Sequence, residues 1–263
     1  MLLKDKVIIV SGIGPGLGVK LAVEAAREGA RAVAIAARTA AKLDDAERRI
    51  YALGSDCEVL KVVTDITDRA QCKRLVDKTA ARFGRIDGLL NSAFTHGNFP
   101  EPIESADLEV WRSVFDINLF GTMTLTQEVL PQMKVQGSGA IAMINTAAAR
   151  RPFPGESGYA ASKGALAVAV KYLAKELGPH GIRVNNIFMG WMWGEPVQGY
   201  IKRSAAEYQM PEEQLIAPIV ANIALGRIPT DDDCAKAALF LVSDYANAVS
   251  GASLDANGGE YMG

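Results

Sequence analysis

Val7-Ile8-Ile9-Val10-Ser11-Gly12-Ile13-Gly14-Pro15-Gly16-Leu17-Gly18 is the first regular stretch of the chain, and a helical pattern follows it through Glu28. An apolar, β-branched run reads as a strand; the glycines that interrupt it read as a turn into a helix. Strand, glycine-rich turn and helix in that order present backbone N–H groups at a helix start, where the unpaired donors and the helix dipole both favour a phosphate. The spacing G-x-G-x-x-G does not fit, because its last position would fall on Leu17 or Val19. What fits is G-x-x-x-G-x-G at Gly12, Gly16 and Gly18, with Gly14 between them. A plain surface loop is the competing reading; the position directly after the first strand of an alternating chain favours a dinucleotide site.

The alternation continues outward from this unit. Strands are expected at 32–36, 58–63, 88–91, 140–145, 183–189 and 252–256, and helices at 40–53, 68–83, 108–134 and 231–241, with a further alanine-rich helix around residue 163. Seven strands interleaved with helices predict an α/β fold: a doubly wound, seven-stranded parallel sheet of the Rossmann type. No linker, repeat or low-complexity tract divides residues 1–263, so one domain is expected.

Composition excludes several classes. A net charge of -2 gives no basic surface for nucleic acid or anionic membrane. Cys57, Cys72 and Cys234 are scattered without metal-like spacing, and His96 and His180 are the only imidazoles, so no metal site is expected. No apolar stretch approaches the ~20 residues of a membrane span, and the N-terminus leads directly into the first strand; a cytoplasmic protein is expected.

Asn145-Thr-Ala-Ala-Ala-Arg-Arg-Pro-Phe-Pro-Gly-Glu-Ser-Gly-Tyr-Ala-Ala-Ser-Lys163 carries the candidate chemistry. Tyr159 and Lys163 are one helical turn apart on one face. A free phenol has a pKa near ~10, and an ammonium close by favours the phenolate; lowering by two units needs roughly 2.7 kcal/mol. Thr146 adds a hydroxyl at the end of the preceding strand. These three groups converging would suit proton transfer at an alcohol or ketone oxygen, although a Tyr and a Lys four apart is by itself a common coincidence.

The second strand ends in Ala36-Ala37-Arg38-Thr39, without the acid that often binds an adenosine ribose. Arg38 could pair with a 2′-phosphate, stack on adenine or face solvent; the reading adopted is NADP, with NAD as the alternative. Asp65, followed by Ile66, could accept from the adenine amino group or serve as a turn or cap residue.

In this order and spacing, Ser11-Gly12-x-x-x-Gly16-x-Gly18, Asn91-Ser92-Ala93, Asn118, Thr146, Tyr159-x-x-x-Lys163, Arg183-Val184-Asn185 and Asp255-x-x-Gly258-Gly259 resemble the short-chain dehydrogenase/reductase family from about Lys4 to Gly259. The resemblance implies hydride transfer between a nicotinamide and a carbon bearing oxygen. It assigns Tyr159 as the acid/base, Lys163 as its activator and ribose contact, Thr146 as the group orienting substrate oxygen, and Asn118 as holder of a water between Lys163 and solvent. It also implies cofactor contacts at Ser11, Gly12, Gly14, Gly16, Leu17, Gly18, Arg38, Asp65, Ile66, Asn91, Ser92, Ala93, Gly190 and Met192.

Three positions depart from the family pattern. Thr146 stands for its serine, Phe94 for a glycine, and Met189-Gly190 for its Pro-Gly, with the usual following threonine replaced around Trp193-Gly194. Residues 190–230 occupy the place of the family's substrate lid, and Phe94, His96, Phe153, Trp191 and Trp193 are the candidate substrate contacts. The expected substrate is a bulky hydrophobic secondary alcohol or ketone, such as a steroid, terpenoid or aromatic alcohol. Tyr159 and Lys163 are too closely spaced for the family's enoyl reductases. The rival function is a dinucleotide-binding relative that has lost catalysis and acts as a sensor or structural protein. Apolar residues Trp111, Phe115, Leu119 and Leu125, with Leu166, Val170 and Leu173, are surplus to simple sheet packing; with the resemblance they suggest a homotetramer or homodimer, though they could equally be core.

Overall fold

The computed structural model describes residues 1–263. Seven strands are present: β1 (Val7–Ser11), β2 (Ala32–Ala37), β3 (Glu58–Val63), β4 (Gly88–Asn91), β5 (Gly139–Thr146), β6 (Ile182–Met189) and β7 (Ser253–Ala256). They form one all-parallel sheet in the order β3-β2-β1-β4-β5-β6-β7. The chain winds outward from β1 to β3, then returns to add β4 beside β1, so the topological switch lies between β1 and β4. A crevice opens there at the carboxyl ends of the strands, where such sheets bind ligands.

Both faces of the sheet are covered, which is why the strands are apolar at nearly every position. On one face Ile8, Val10, Ile35, Ala142 and Ile144 pack against helix α1 (Leu17–Arg27), helix α2 (Ala40–Tyr51) and a late helix over Asp231–Val242. On the other, Ile9, Leu89, Ile141 and Met143 meet Leu75 and Val76 of α3 (Arg69–Phe83), and Leu125, Val129, Leu166 and Val170 of the helices that follow β4 and β5. Each fully buried leucine or isoleucine stabilises by roughly 1.5–3 kcal/mol. Local signals set the helix ends: Asp68 caps α3 by accepting from Ala70 and Gln71 N–H groups, and Gly84, at φ 77°, terminates it in the left-handed conformation.

The single long helix expected over 108–134 is instead α4 (Leu108–Phe115), a π-helical turn (Asp116–Gly121) and α5 (Thr122–Gln136). The π turn surrounds Asn118, whose fully buried side chain is fastened outside the helix, and such single-turn widenings are frequent at functional sites. The helix after β5 is α6 (Ser157–Leu177). Between β6 and the last helix, residues 190–230 fold into two helices that periodicity did not reveal, α7 (Glu195–Glu207) and α8 (Glu212–Val220); α9 (Asp231–Val242) follows. Of the apolar residues set aside for an oligomer face, Leu125, Leu166, Val170 and Leu173 belong to the core. The apolar side chains that do face outward on these helices are Leu108, Phe120, Val135, Val168 and Tyr172. No helix is long and apolar enough to cross a membrane.

Candidate active site

A cleft of about 760 Å³ runs along the carboxyl ends of the strands. One end is the glycine turn. Gly12 adopts φ +85°, and a Cβ there would lie 2.3 Å from the Ala93 amide nitrogen; a Cβ on Gly18 would lie 2.1 Å from the Gly12 carbonyl oxygen. Only glycine allows the turn to lie this close to the strand beside it. A Cβ on Gly14 would meet nothing within 4 Å, so this residue faces open space in the cleft. No side chain caps α1 at Gly16 and no acid occupies its first turn, which leaves the donors of the helix start to an anion. A pyrophosphate fits this cradle.

Beyond the turn, Ala37, Arg38, Thr39, Lys42, Thr64, Asp65 and Ile66 line the same cleft. Lys42 was not anticipated; it lies in the first turn of α2, four residues after Arg38, and gives this corner a second cation. Asp65 Oδ1 accepts from the Thr67 amide (3.0 Å) and hydroxyl (2.8 Å), so the turn role weighed for it is present alongside its place in the wall.

The other half of the cleft contains the proton-transfer candidates. Thr146 ends β5, and Tyr159 and Lys163 project from the first turns of α6 into the same space. Lys163 is 2 % exposed and donates from Nζ to the Ile144 carbonyl oxygen at 2.7 Å. Burial lowers its ammonium to about 7. Burial likewise pushes the Tyr159 phenol above its ordinary value; the Thr146 hydroxyl opposes that shift and the charge of Glu156 adds to it. The direction for Tyr159 in this cleft is thus opposite to the one that its spacing from Lys163 suggests. Desolvation dominates both groups, and the ammonium is held on a backbone carbonyl.

Ser92, Ala93, Phe94, His96, Phe153, Gly190, Trp191 and Met192 all line the cleft. The ring of His96 meets that of Tyr159 edge-on at 4.3 Å between centroids, and Phe94 lies at 5.9 Å. Four expected contacts are placed elsewhere. Ser11 is buried in the sheet with its hydroxyl 3.4 Å from Asn91 Oδ1, and Asn91 in turn donates to Thr126 Oγ1 at 3.0 Å; both side chains brace β1, β4 and α5 behind the cleft. Asn118 accepts from the Thr95 N–H (2.8 Å) and donates to the Thr95 carbonyl (2.9 Å) and Ser162 Oγ (3.0 Å), fixing the Phe94–His96 loop against α6. Trp193 turns away, its backbone bridging to Thr230.

Glu156, Phe99, Ile117, Pro196, Val197, Tyr200 and Glu260 complete the wall. Tyr200 packs its ring 6.1 Å from that of Trp191. Glu260 comes from beyond β7; only the parallel pairing of β6 with β7 brings it here, and no local pattern announces it. The three cysteines are all buried, and burial pushes each thiol up, Cys57 to about 11 and Cys72 and Cys234 to about 12, as befits packing groups.

Residues 12–260 match the family model described as enoyl-(acyl carrier protein) reductase. Levodione reductase of Leifsonia aquatica is 32% identical over 256 residues, covering 97% of this chain and 94% of the relative. A 3α-hydroxysteroid dehydrogenase of Mediterraneibacter gnavus is 31% identical over 258 residues, 98% of each chain. The crystal structure of levodione reductase superposes with a TM-score of 0.89 over 98% of each chain, and that of an actinorhodin polyketide ketoreductase with NADPH, 25% identical, with 0.87 over 98% of each. Sequence and backbone agree over nearly the whole length: the chain belongs to the short-chain dehydrogenase/reductase family, the NAD(P)-dependent oxidoreductases of alcohols and ketones.

Proposed function

We propose that the protein is an NADP-dependent reductase of bulky hydrophobic ketones, acting in reverse as a secondary-alcohol dehydrogenase. The observation that carries this reading is the continuity of one cleft from the Arg38–Lys42 corner, past the glycine turn, to an aromatic chamber around Tyr159. Arg38 and Lys42 would hold a 2′-phosphate, and the donors at the start of α1 the pyrophosphate. When bound, the nicotinamide supplies or accepts the hydride.

Tyr159 is kept as a neutral phenol by burial, so it enters the reaction as a proton donor to a carbonyl oxygen. Thr146 donates its hydroxyl to that oxygen and holds it in place. Lys163, fixed on Ile144, offers the remaining N–H donors of its ammonium to the ribose and returns positive charge to the site as negative charge develops on the tyrosine oxygen. Asn118 positions Thr95 and Ser162, and with them the walls on either side of Tyr159.

Residues 190–230 form the lid, with Trp191, Pro196, Val197 and Tyr200 facing the cleft. The aromatic chamber supports a ring ketone, as does a relative named for a hydroxysteroid. The four-residue Tyr–Lys spacing supports carbonyl rather than enoyl reduction. A homodimer or homotetramer formed through Phe120, Val168 and Tyr172 completes the reading.

Oxidation of NADPH and NADH with a panel of cyclic and aromatic ketones tests it. Turnover with NADPH, abolished in Tyr159→Phe while NADPH still binds, is the expected result. A wild type that binds NADPH and reduces nothing would favour the rival reading, a dinucleotide-binding relative without catalysis.

A further inference from the structure

Two carboxyl groups that the proton-transfer chemistry leaves unused face the same chamber. Glu156 lies at the start of α6, near Tyr159, and Glu260 in the segment after β7, against Gly190 and Trp191; both line the cleft. They repel one another, and burial together with that repulsion holds Glu156 above the usual carboxylate range. Glu260 is only 9 % exposed, and burial raises its carboxyl as well, against the pull of Arg151.

The chain provides these groups with little compensation. Glu260 Oε2 accepts one long hydrogen bond, from the Trp191 amide at 3.4 Å. Arg151 directs Nη1 to the Glu260 carbonyl oxygen at 3.4 Å instead of the carboxylate, and its guanidinium lies over Phe153. Arg150 is bound at 2.7 Å to Asp255, and Lys163 to Ile144. The backbone nevertheless makes room for the acid: a Cβ on residue 190 would lie 2.3 Å from Glu260 Oε2, so glycine at that position admits the carboxylate. A carboxylate buried without a cation costs several kcal/mol, a penalty relieved when a partner of opposite charge arrives. Phe94, Phe153 and Trp191 line the same cleft, and aromatic ring faces favour a cation.

We propose that Glu156 and Glu260 form a subsite for an ammonium group on the substrate, so that the protein selects hydrophobic ketones carrying a protonated amine over neutral ketones of the same shape. This inference rests on the ketone-reductase reading for its reaction, but the subsite itself can be tested by binding alone.

The test uses two aryl alkyl ketones that differ only in ending with an aminomethyl or an ethyl group. The readout is the ratio of their kcat/KM values with NADPH, measured in wild type, Glu156→Gln and Glu260→Gln. Within one variant, losses of folded protein or of cofactor affinity cancel in the ratio. Wild type should prefer the ammonium ketone by at least about tenfold, and each isosteric substitution should reduce the preference by about tenfold. A wild-type ratio of one or less, or a ratio unchanged in both variants, overturns the proposal. Should neither ketone turn over, tryptophan fluorescence decides, since Trp191 lines the site. Saturable quenching by the amine, absent with its neutral analogue and lost in Glu260→Gln, would sustain the subsite while the reductase reading fell; equal quenching by both would overturn the subsite too.

Discussion

Replacing Lys163 by methionine should abolish turnover and yet make the folded protein more stable, most of all in mild acid. The ammonium falls from 10.5 to about 7 on burial. At about 1.4 kcal/mol per tenfold, that shift corresponds to an upper limit of about 5 kcal/mol against the charged form. Methionine has a similar shape and no charge, but it leaves the Ile144 carbonyl without its 2.7 Å partner, a loss of about 1–3 kcal/mol. The net gain is therefore at most about 2–4 kcal/mol below pH 7, or a Tm rise of at most about 4–16 °C in a chain of this size.

The sign follows from proton uptake. Between about 7 and 10.5 the unfolded chain keeps the Lys163 proton that the folded chain has released, so wild-type stability rises with pH across that window. The variant has no such dependence, and its advantage should shrink by about 2–3 kcal/mol between pH 7 and 9. Calorimetry of the cofactor-free proteins at pH 6 and pH 9, with kcat measured in parallel, checks this. A variant destabilised equally at both pH values, or one whose advantage grows with pH, would refute the argument that the lysine is held in the cleft at the expense of stability.

Three further outcomes are expected. Arg38→Ala with Lys42→Ala should weaken NADPH binding by about 10–100-fold while leaving NADH affinity nearly unchanged, as measured by fluorescence titration. Thr146→Val should lower kcat by about 10–100-fold at nearly constant cofactor affinity, because it removes a hydroxyl that holds the reacting oxygen; a variant as fast as wild type would remove Thr146 from the mechanism. Gly18→Ala places a methyl group 2.1 Å from the Gly12 carbonyl oxygen, and should abolish cofactor binding at a cost in stability of about 1–3 kcal/mol, read by calorimetry.

The pattern of residues determined the sheet. Runs such as Val7–Val10 and Ile141–Ile144 are apolar at successive positions because both faces of a parallel strand are buried, and the turns between them are punctuated by Gly, Asp and Asn; this local information survives without tertiary context. Glycine spacing marked the turn, and the i, i+4 relation of Tyr159 and Lys163 guaranteed that both would leave one face of α6. What depended on three dimensions was different in kind. The π turn at Asn118 arises because its side chain bonds to Thr95, far away in sequence, and no helical period encodes that. Ser11 and Asn91 sit in the glycine-motif and strand-end positions that suggest cofactor contact, yet hydrogen-bond each other behind the cleft, because neighbouring residues on a strand point to opposite faces. Protonation, too, was decided by burial. A charge pair read from spacing lowers a phenol's pKa, whereas the packed site raises Tyr159 and lowers Lys163, since desolvation depends on every atom around a group. And Glu260 reaches the cleft only because β7 pairs beside β6, a contact between segments whose adjacency exists nowhere in the linear order.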